Sequence, residues 1–170
     1  MSESILEQLA LWHLAAVNDV TVANGYQQTL AGSRSEEEFL DGDAIGDLSV
    51  FCALSASDEA VRKESETVDL GGTKIIWIQR FDAFVHVLGR GGTDLAVDNR
   101  ITRIIADVHK RMGIERAAVR DNAGKCCDGK ADWIDLLPWE IGVSPTGVCT
   151  VVNVPVAIRF EVDANNPYSL

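Results

Sequence analysis

Two adjacent cysteines, Cys126 and Cys127, are the residues of this chain best suited to chemistry. They lie in a stretch rich in Gly, Lys and Asp, with Lys125 and Lys130 close by. Nearby cations lower a thiol pKa towards the thiolate, the form that attacks electrophiles or binds metal. A metal site asks for a second pair at ligand spacing, whereas Cys52 and Cys149 are isolated. A nucleophile asks for a histidine, and the three present are His13, His86 and His109. His13 falls near the apolar stripe of a helix, His86 in a strand, and His109 at a helix end that suits its positive form. These placements favour packing or surface roles, and the cysteine pair reads as exposed, mildly reactive thiols.

Other constellations are weaker. Glu36, Glu37, Glu38, Asp41 and Asp43 offer the hard oxygens that calcium takes, but without the spacing of a calcium loop; a solvated, field-shaping segment fits them better. Gly71-Gly72-Thr73-Lys74 has the wrong order for a phosphate loop and leads into a strand rather than a helix. Gly89-Arg90-Gly91-Gly92-Thr93 enters a helix N-terminus, where free N–H groups attract anions. Asp94 and Asp98 already occupy that field, so a plain strand-to-helix turn is expected. Trp12, Trp77, Trp133 and Trp139 stand at apolar-periodic positions and read as core or interface packing. The sequence holds no Ser/His/Asp constellation, dinucleotide fingerprint or zinc-protease helix. The expectation is a protein with no catalytic, cofactor-binding or metal-binding residue, and no cofactor.

The elements that must position these residues belong to one domain spanning 1–170. A chain of 170 residues that is 46% hydrophobic can bury a sizeable core. Its net charge of −11 disfavours a basic nucleic-acid groove. The opening Met1-Ser2-Glu3-Ser4 lacks the basic start of a signal peptide, and no apolar run approaches the ~20 residues of a membrane span, so a cytosolic protein with reduced cysteines is expected.

Ser4 and Glu7 form a capping box ahead of an apolar stripe at Ile5, Leu9, Trp12 and Ala16. A strand is expected over Leu48–Leu54, and residues 55–70 read as a polar loop or insertion. Lys74–Ile78 and Phe81–Leu88 are one bent strand or two, with Phe81, Ala83, Val85 and Val87 on one side. Ile101, Ile104, Ile105, Val108 and Met112 mark a second helix over 94–112, capped by Thr93 or Asp94, with Gly113 as its stop. A strand near Trp133–Ile141 turns at Ser144-Pro145-Thr146-Gly147 into a hairpin with the final strand. There Thr150, Val152, Val154, Val156, Ile158, Phe160 and Val162 alternate with Asn153, Arg159 and Glu161, while Pro155 points to an edge or bulge. The expected fold is α+β: a mixed, largely antiparallel sheet with two main helices packed on one face.

This arrangement resembles the tail terminator (tail completion) family of long-tailed bacteriophages. The resemblance rests on the N-terminal helix running into Asn24-Gly25-Tyr26, the acidic loop, the strand Leu48–Leu54, and the long strand ending near Leu88. The helix 94–112, the alternating strand 148–162 and the closing Asn166-Pro167-Tyr168 complete it. It implies a structural virion protein, assembled in the host cytoplasm and placed at the head-proximal end of the tail. There it forms a ring with itself, six-membered, that caps the tail tube protein, ends tube growth and presents a surface to the head–tail connector protein. DNA would be passing cargo only, no membrane is involved, and no catalysis is required. In such a ring Glu36, Glu37, Glu38, Asp41 and Asp43 are candidate lumen acids, and Phe81, Val85, Val87, Pro167 and Tyr168 are candidate inter-subunit contacts. Two alternatives stand beside it: a head–tail joining (neck) or minor tail protein, and a small cytosolic enzyme using the Cys126-Cys127 loop.

Overall fold

The computed structural model describes residues 3–34, 46–54, 62–66, 74–89, 91–92, 94–121, 124–143 and 149–163. In chain order these form helix α1 (Ile5–Asn18), a single 3₁₀ turn (Val22–Asn24), and strands β1 (Ala31–Ser33), β2 (Ser49–Leu54), β3 (Arg62–Glu66) and β4 (Lys74–Leu88). Helix α2 (Leu95–Asp121) and strands β5 (Trp133–Leu136), β6 (Glu140–Val143), β7 (Cys149–Asn153) and β8 (Val156–Asp163) follow.

Strand β4 is the spine. The two apolar runs at 74–78 and 81–88 are one strand of 15 residues. Along one side of it lie β2 and β3, end to end and both antiparallel to it. Along the other lie β7 and β8, also antiparallel. The strand expected over 148–162 is thus two strands, but their register on β4 is continuous: Phe84 faces Asn153 and Phe81 faces Val156. Val154 keeps its hydrogen bond, its N–H donating to the Ala83 carbonyl at 3.0 Å. The interruption falls at Pro155, which has no N–H to give the ladder.

An outer row completes this side. β5 pairs with β8 and β6 with β7, both antiparallel, so the expected hairpin strands do pair; the turn at 144–147 lies outside the described residues. The strand expected over Trp133–Ile141 is split, because one extra residue enters between its halves. The Leu137 N–H still donates to the Pro155 carbonyl, yet Glu140 stands opposite Asn153 where Trp139 would have stood. An insertion of this kind is a bulge, and it re-aims the strand beyond it. On the far side, β1 adds to β2 in parallel. Residues 62–66, expected as loop, pair with β4 as β3.

Both helices pack on one face, as the α+β reading requires. Phe81, Ala83, Val85 and Val87 point into the core with Val152, Val156, Ile158 and Phe160, so the alternation of both strands carries into packing. α1 contributes Ile5, Leu9, Trp12, Ala16 and Val17, with Ser4 accepting from the Glu7 N–H as its N-cap. α2 contributes Val97, Ile101, Ile104, Val108 and Met112. Each Val, Leu, Ile, Phe or Met among them, when fully buried, contributes about 1.5–3 kcal/mol.

Asp94 caps α2, its side chain accepting from the Ala96 N–H. The expected stop at Gly113 is not one. A Cβ at Gly113 would meet nothing, the backbone stays helical, and the helix runs to Asp121. Arg111 reaches Glu115 one turn on at 2.9 Å and Asp19 of the α1 end at 3.3 Å. Asp107, buried on α2, accepts two backbone N–H groups, from Gln27 and Gln28, each at 2.8 Å. That carboxylate ties the segment leading into β1 to the second helix.

Candidate functional site

The cysteine pair is not exposed. Cys126 and Cys127 are 2% and 0% exposed, inside a turn closed by reciprocal Cys126–Ala131 backbone bonds. Cys127 and Asp128 take left-handed φ values of 51° and 56°, and the following Gly129 at 81° completes the reversal. Both lysines expected to activate the thiols are paired with carboxylates, Lys125 with Asp132 and Lys130 with Asp128 at 3.9 Å; the Lys125 charge still favours the Cys126 thiolate, as the weakest of several influences. The Cys127 thiol donates to Cys126 at 3.7 Å, which favours the Cys126 thiolate and holds the Cys127 thiol protonated. The Cys127 N–H donates to Glu115, fastening the turn to α2. The remaining thiols are buried too, and burial pushes Cys52 up to about 12.

The histidines are packing residues. His13 is buried against Phe81, ring centroids 5.6 Å apart, and burial followed by the Arg34 charge lowers it to about 4. His86 is buried in β4. His109 lies within a helix that continues for three more turns, and burial lowers its pKa, so it does not complement a helix end. In the glycine turn before α2, the described amides are engaged within the chain. Gly91 N–H donates to Thr150 Oγ1 and Gly92 N–H to Asp98 Oδ1, both at 2.8 Å, so these amides are already satisfied. No group of three or more His, Cys, Asp or Glu side chains fit to hold a metal occurs among the described residues.

The interface candidates divide. Phe81, Val85 and Val87 are buried beneath the helices, so they have no surface left for a neighbouring subunit. Pro167 and Tyr168 lie outside the described residues, as do Glu36, Glu37, Glu38, Asp41, Asp43 and Gly71–Thr73. One flank of α2 borders a groove.

That groove lies where the sheet is left open. β6 is the last strand beyond β7 and all four of its residues are exposed. Trp139, Ile141 and Val143, alternate residues and so on one face, are 49%, 50% and 57% exposed. Trp139 and Ile141 meet Asp98, Ile101, Thr102 and Ile105 of α2 around an open cavity of about 300 Å³. The other margins differ. The N–H of Gly32 in β1 donates to the Asn18 side chain of α1 at 2.7 Å, and a Cβ on Gly32 would stand 3.0 Å from Leu14. β3 is built from Arg, Lys, Glu, Ser and Glu. β5 runs against α2, with Arg116 over the Trp133 ring at 5.0 Å. Sequence reasoning missed the β6 margin because Trp139 and Ile141 fit an apolar period; the signal available was Gly142 and Pro138, residues that weaken or end a central strand.

A second feature sits on the face away from the helices. Asp82, buried in β4, accepts from Arg80 Nε at 2.9 Å and from Asn153 Nδ2 at 2.8 Å, and Arg80 reaches on to Glu140 at 3.3 Å. Asn153, expected on a solvated face, is buried by this network, which ties β4, β7 and β6 together.

No protein-family model matches the chain, and a search of curated proteins finds none similar to it.

Proposed function

We propose that this chain is a structural subunit that works by joining protein neighbours, and that it forms the ring at the head-proximal end of a long phage tail. The observation that carries the reading is the β6 margin. Three large apolar side chains, Ile141 and Val143 on a bare edge strand and Trp139 just before it, are exposed beside an apolar groove, in a domain that turns its thiols inward. Natural sheets shield their edges unless something is to pair with them, and clustered apolar exposure marks a protein-contact surface.

The order of elements supports the more specific assignment: an N-terminal helix leading to Asn24-Gly25-Tyr26, the long strand β4, helix α2 and the closing alternating strands. In this role six copies close a ring, one face on the tail tube protein and the other towards the head–tail connector protein. The charge of −11 suits a channel that passes DNA without holding it.

Deleting the gene from its own genome and imaging the lysate by electron microscopy tests the proposal. Abnormally long, headless tails are expected. Tails of normal length beside unattached full heads would move the chain to a joining role, and intact infectious particles would overturn a tail role. Neutralising Glu36, Glu37, Glu38, Asp41 and Asp43 together is expected to slow genome ejection while rings still form. Ejection at the normal rate would remove those residues from the channel.

A further inference from the structure

The β6 margin specifies its occupant more closely than the need for a protein neighbour does. We infer that a second copy of this chain pairs with it, β6 against β6, antiparallel and centred on Ile141, so that two sheets become one across a two-fold axis. The inference rests on the same open margin as the assembly reading, but not on the phage assignment.

Three observations point to a second copy. First, β6 is the bare margin among the described residues: β1 is sealed by Asn18, β3 carries only polar residues, and β5 runs against α2. Two copies that extend each other's sheets along this margin both use β6, and a contact of one patch with itself has two-fold symmetry. Second, the strand complements its own reversal. Centred on Ile141, the pairing sets Ile141 against itself and Trp139 against Val143 of the second copy, on the helix face, each an apolar cross-strand pair. On the opposite face Glu140 meets Gly142, so no like charges oppose each other. Third, Glu140, the charged residue of the strand, is drawn back to its own sheet by Arg80 at 3.3 Å. A strand added beside β6 also brings its helix-face side chains over the groove lined by Ile101, Ile105, Trp139 and Ile141, covering what one copy leaves open.

The net charge of −11 on each copy opposes the contact, but beyond the ~8 Å screening length at physiological salt that repulsion is weak. Pairing is therefore expected to strengthen with moderate salt. A two-fold contact cannot itself close a ring, so it is a second interface beside the heterologous one that a ring requires. A chain with both interfaces forms rings joined in pairs; a chain with β6 pairing alone forms dimers.

Cross-linking reads the register. Directly opposed residues of an antiparallel pair lie about 4.5–5.5 Å apart at Cα, within reach of a disulfide. The native cysteines are buried, so background is low. In the full chain at about 0.15 M salt, Ile141→Cys is expected to cross-link to itself under mild oxidation, and Val143→Cys is not. Trp139→Cys mixed with Val143→Cys is expected to give the cross-linked pair. Absence of the Ile141→Cys dimer, or equal cross-linking of Val143→Cys alone, overturns the inference. Native mass spectrometry separates it from the ring reading. Dimers that become monomers, or paired rings that become single rings, on Ile141→Lys support it. Wild-type monomers or single rings overturn it, as does a complex that requires a foreign strand on β6. Single rings leave the ring reading standing, whereas dimers and nothing larger count against that reading alone.

Discussion

The two margins of the sheet are built on opposite plans. At the β1 margin a helix lies across the edge: Asn18 takes the Gly32 N–H, and a Cβ on Gly32 would stand 3.0 Å from Leu14, so a larger residue there must push its neighbours aside. The loop before it is held by the Asp107 carboxylate. At the β6 margin the strand is bare, its glycine meets nothing, and its apolar residues face solvent. One margin spends side chains on closure, and the other withholds them. Free edges invite pairing, so a sheet sealed at one side and open at the other directs where a neighbour attaches.

The difference implies that substitutions at the sealed margin act on stability and those at the open margin on association. Acid gives the largest expected effect. His13 lies in the helix that seals β1, and its pKa falls from 6.5 to about 4 on burial. Below pH 6.5 the unfolded chain takes up a proton that the folded chain refuses, so stability falls as pH drops and levels off near pH 4. The loss attributable to His13 is about 3 kcal/mol over that window. Urea unfolding at stepped pH is expected to show it, and His13→Leu to flatten that part of the profile.

Next comes Asp107→Ala, which strands the Gln27 and Gln28 amides and is expected to cost about 2–3 kcal/mol in the same assay. Glycine exchange follows, and it compares the margins directly. Gly32→Val is expected to destabilise by about 1–3 kcal/mol through overpacking. Gly142→Val is expected to be neutral or to stabilise by up to about 1 kcal/mol, since a β-branched residue suits a strand with room beside it. Equal costs at the two glycines would erase the contrast. The smallest expected effect is on the folding of Ile141→Lys, within about 0.5 kcal/mol of the parent by thermal unfolding, although its association is changed.

Much of the fold was legible because burial imposes periods. The alternation through Phe81, Ala83, Val85 and Val87, and the helical stripe from Ile101 to Met112, each survive as a buried face. What was misread depends on contacts that local pattern does not carry. Gly113 looked like a stop, but Arg111 and Glu115 link the turns on either side of it. Residues 62–66 looked like loop because they lack apolar alternation, yet β4 supplies their partner. The Cys126-Cys127 pair looked exposed from its polar neighbours, whereas those neighbours pair off and leave the thiols beneath. Of the candidate site, the contact residues placed on β4 were drawn into the core by the very alternation that identified the strand. The open margin was hidden because an exposed apolar strand and a buried one read alike in sequence.

The continuous register of β7 and β8 along β4 also bears on how the chain folds. β4 meets β3 across a short connection but meets β8 only after the intervening helix and three further strands have been made. Contacts so distant along the chain are slow to form. During synthesis the central strand waits with one whole side unpaired until residues 149–163 emerge, and an interrupted chain would expose that side to its neighbours. Among the described strands, the last made are those that close the middle of the sheet.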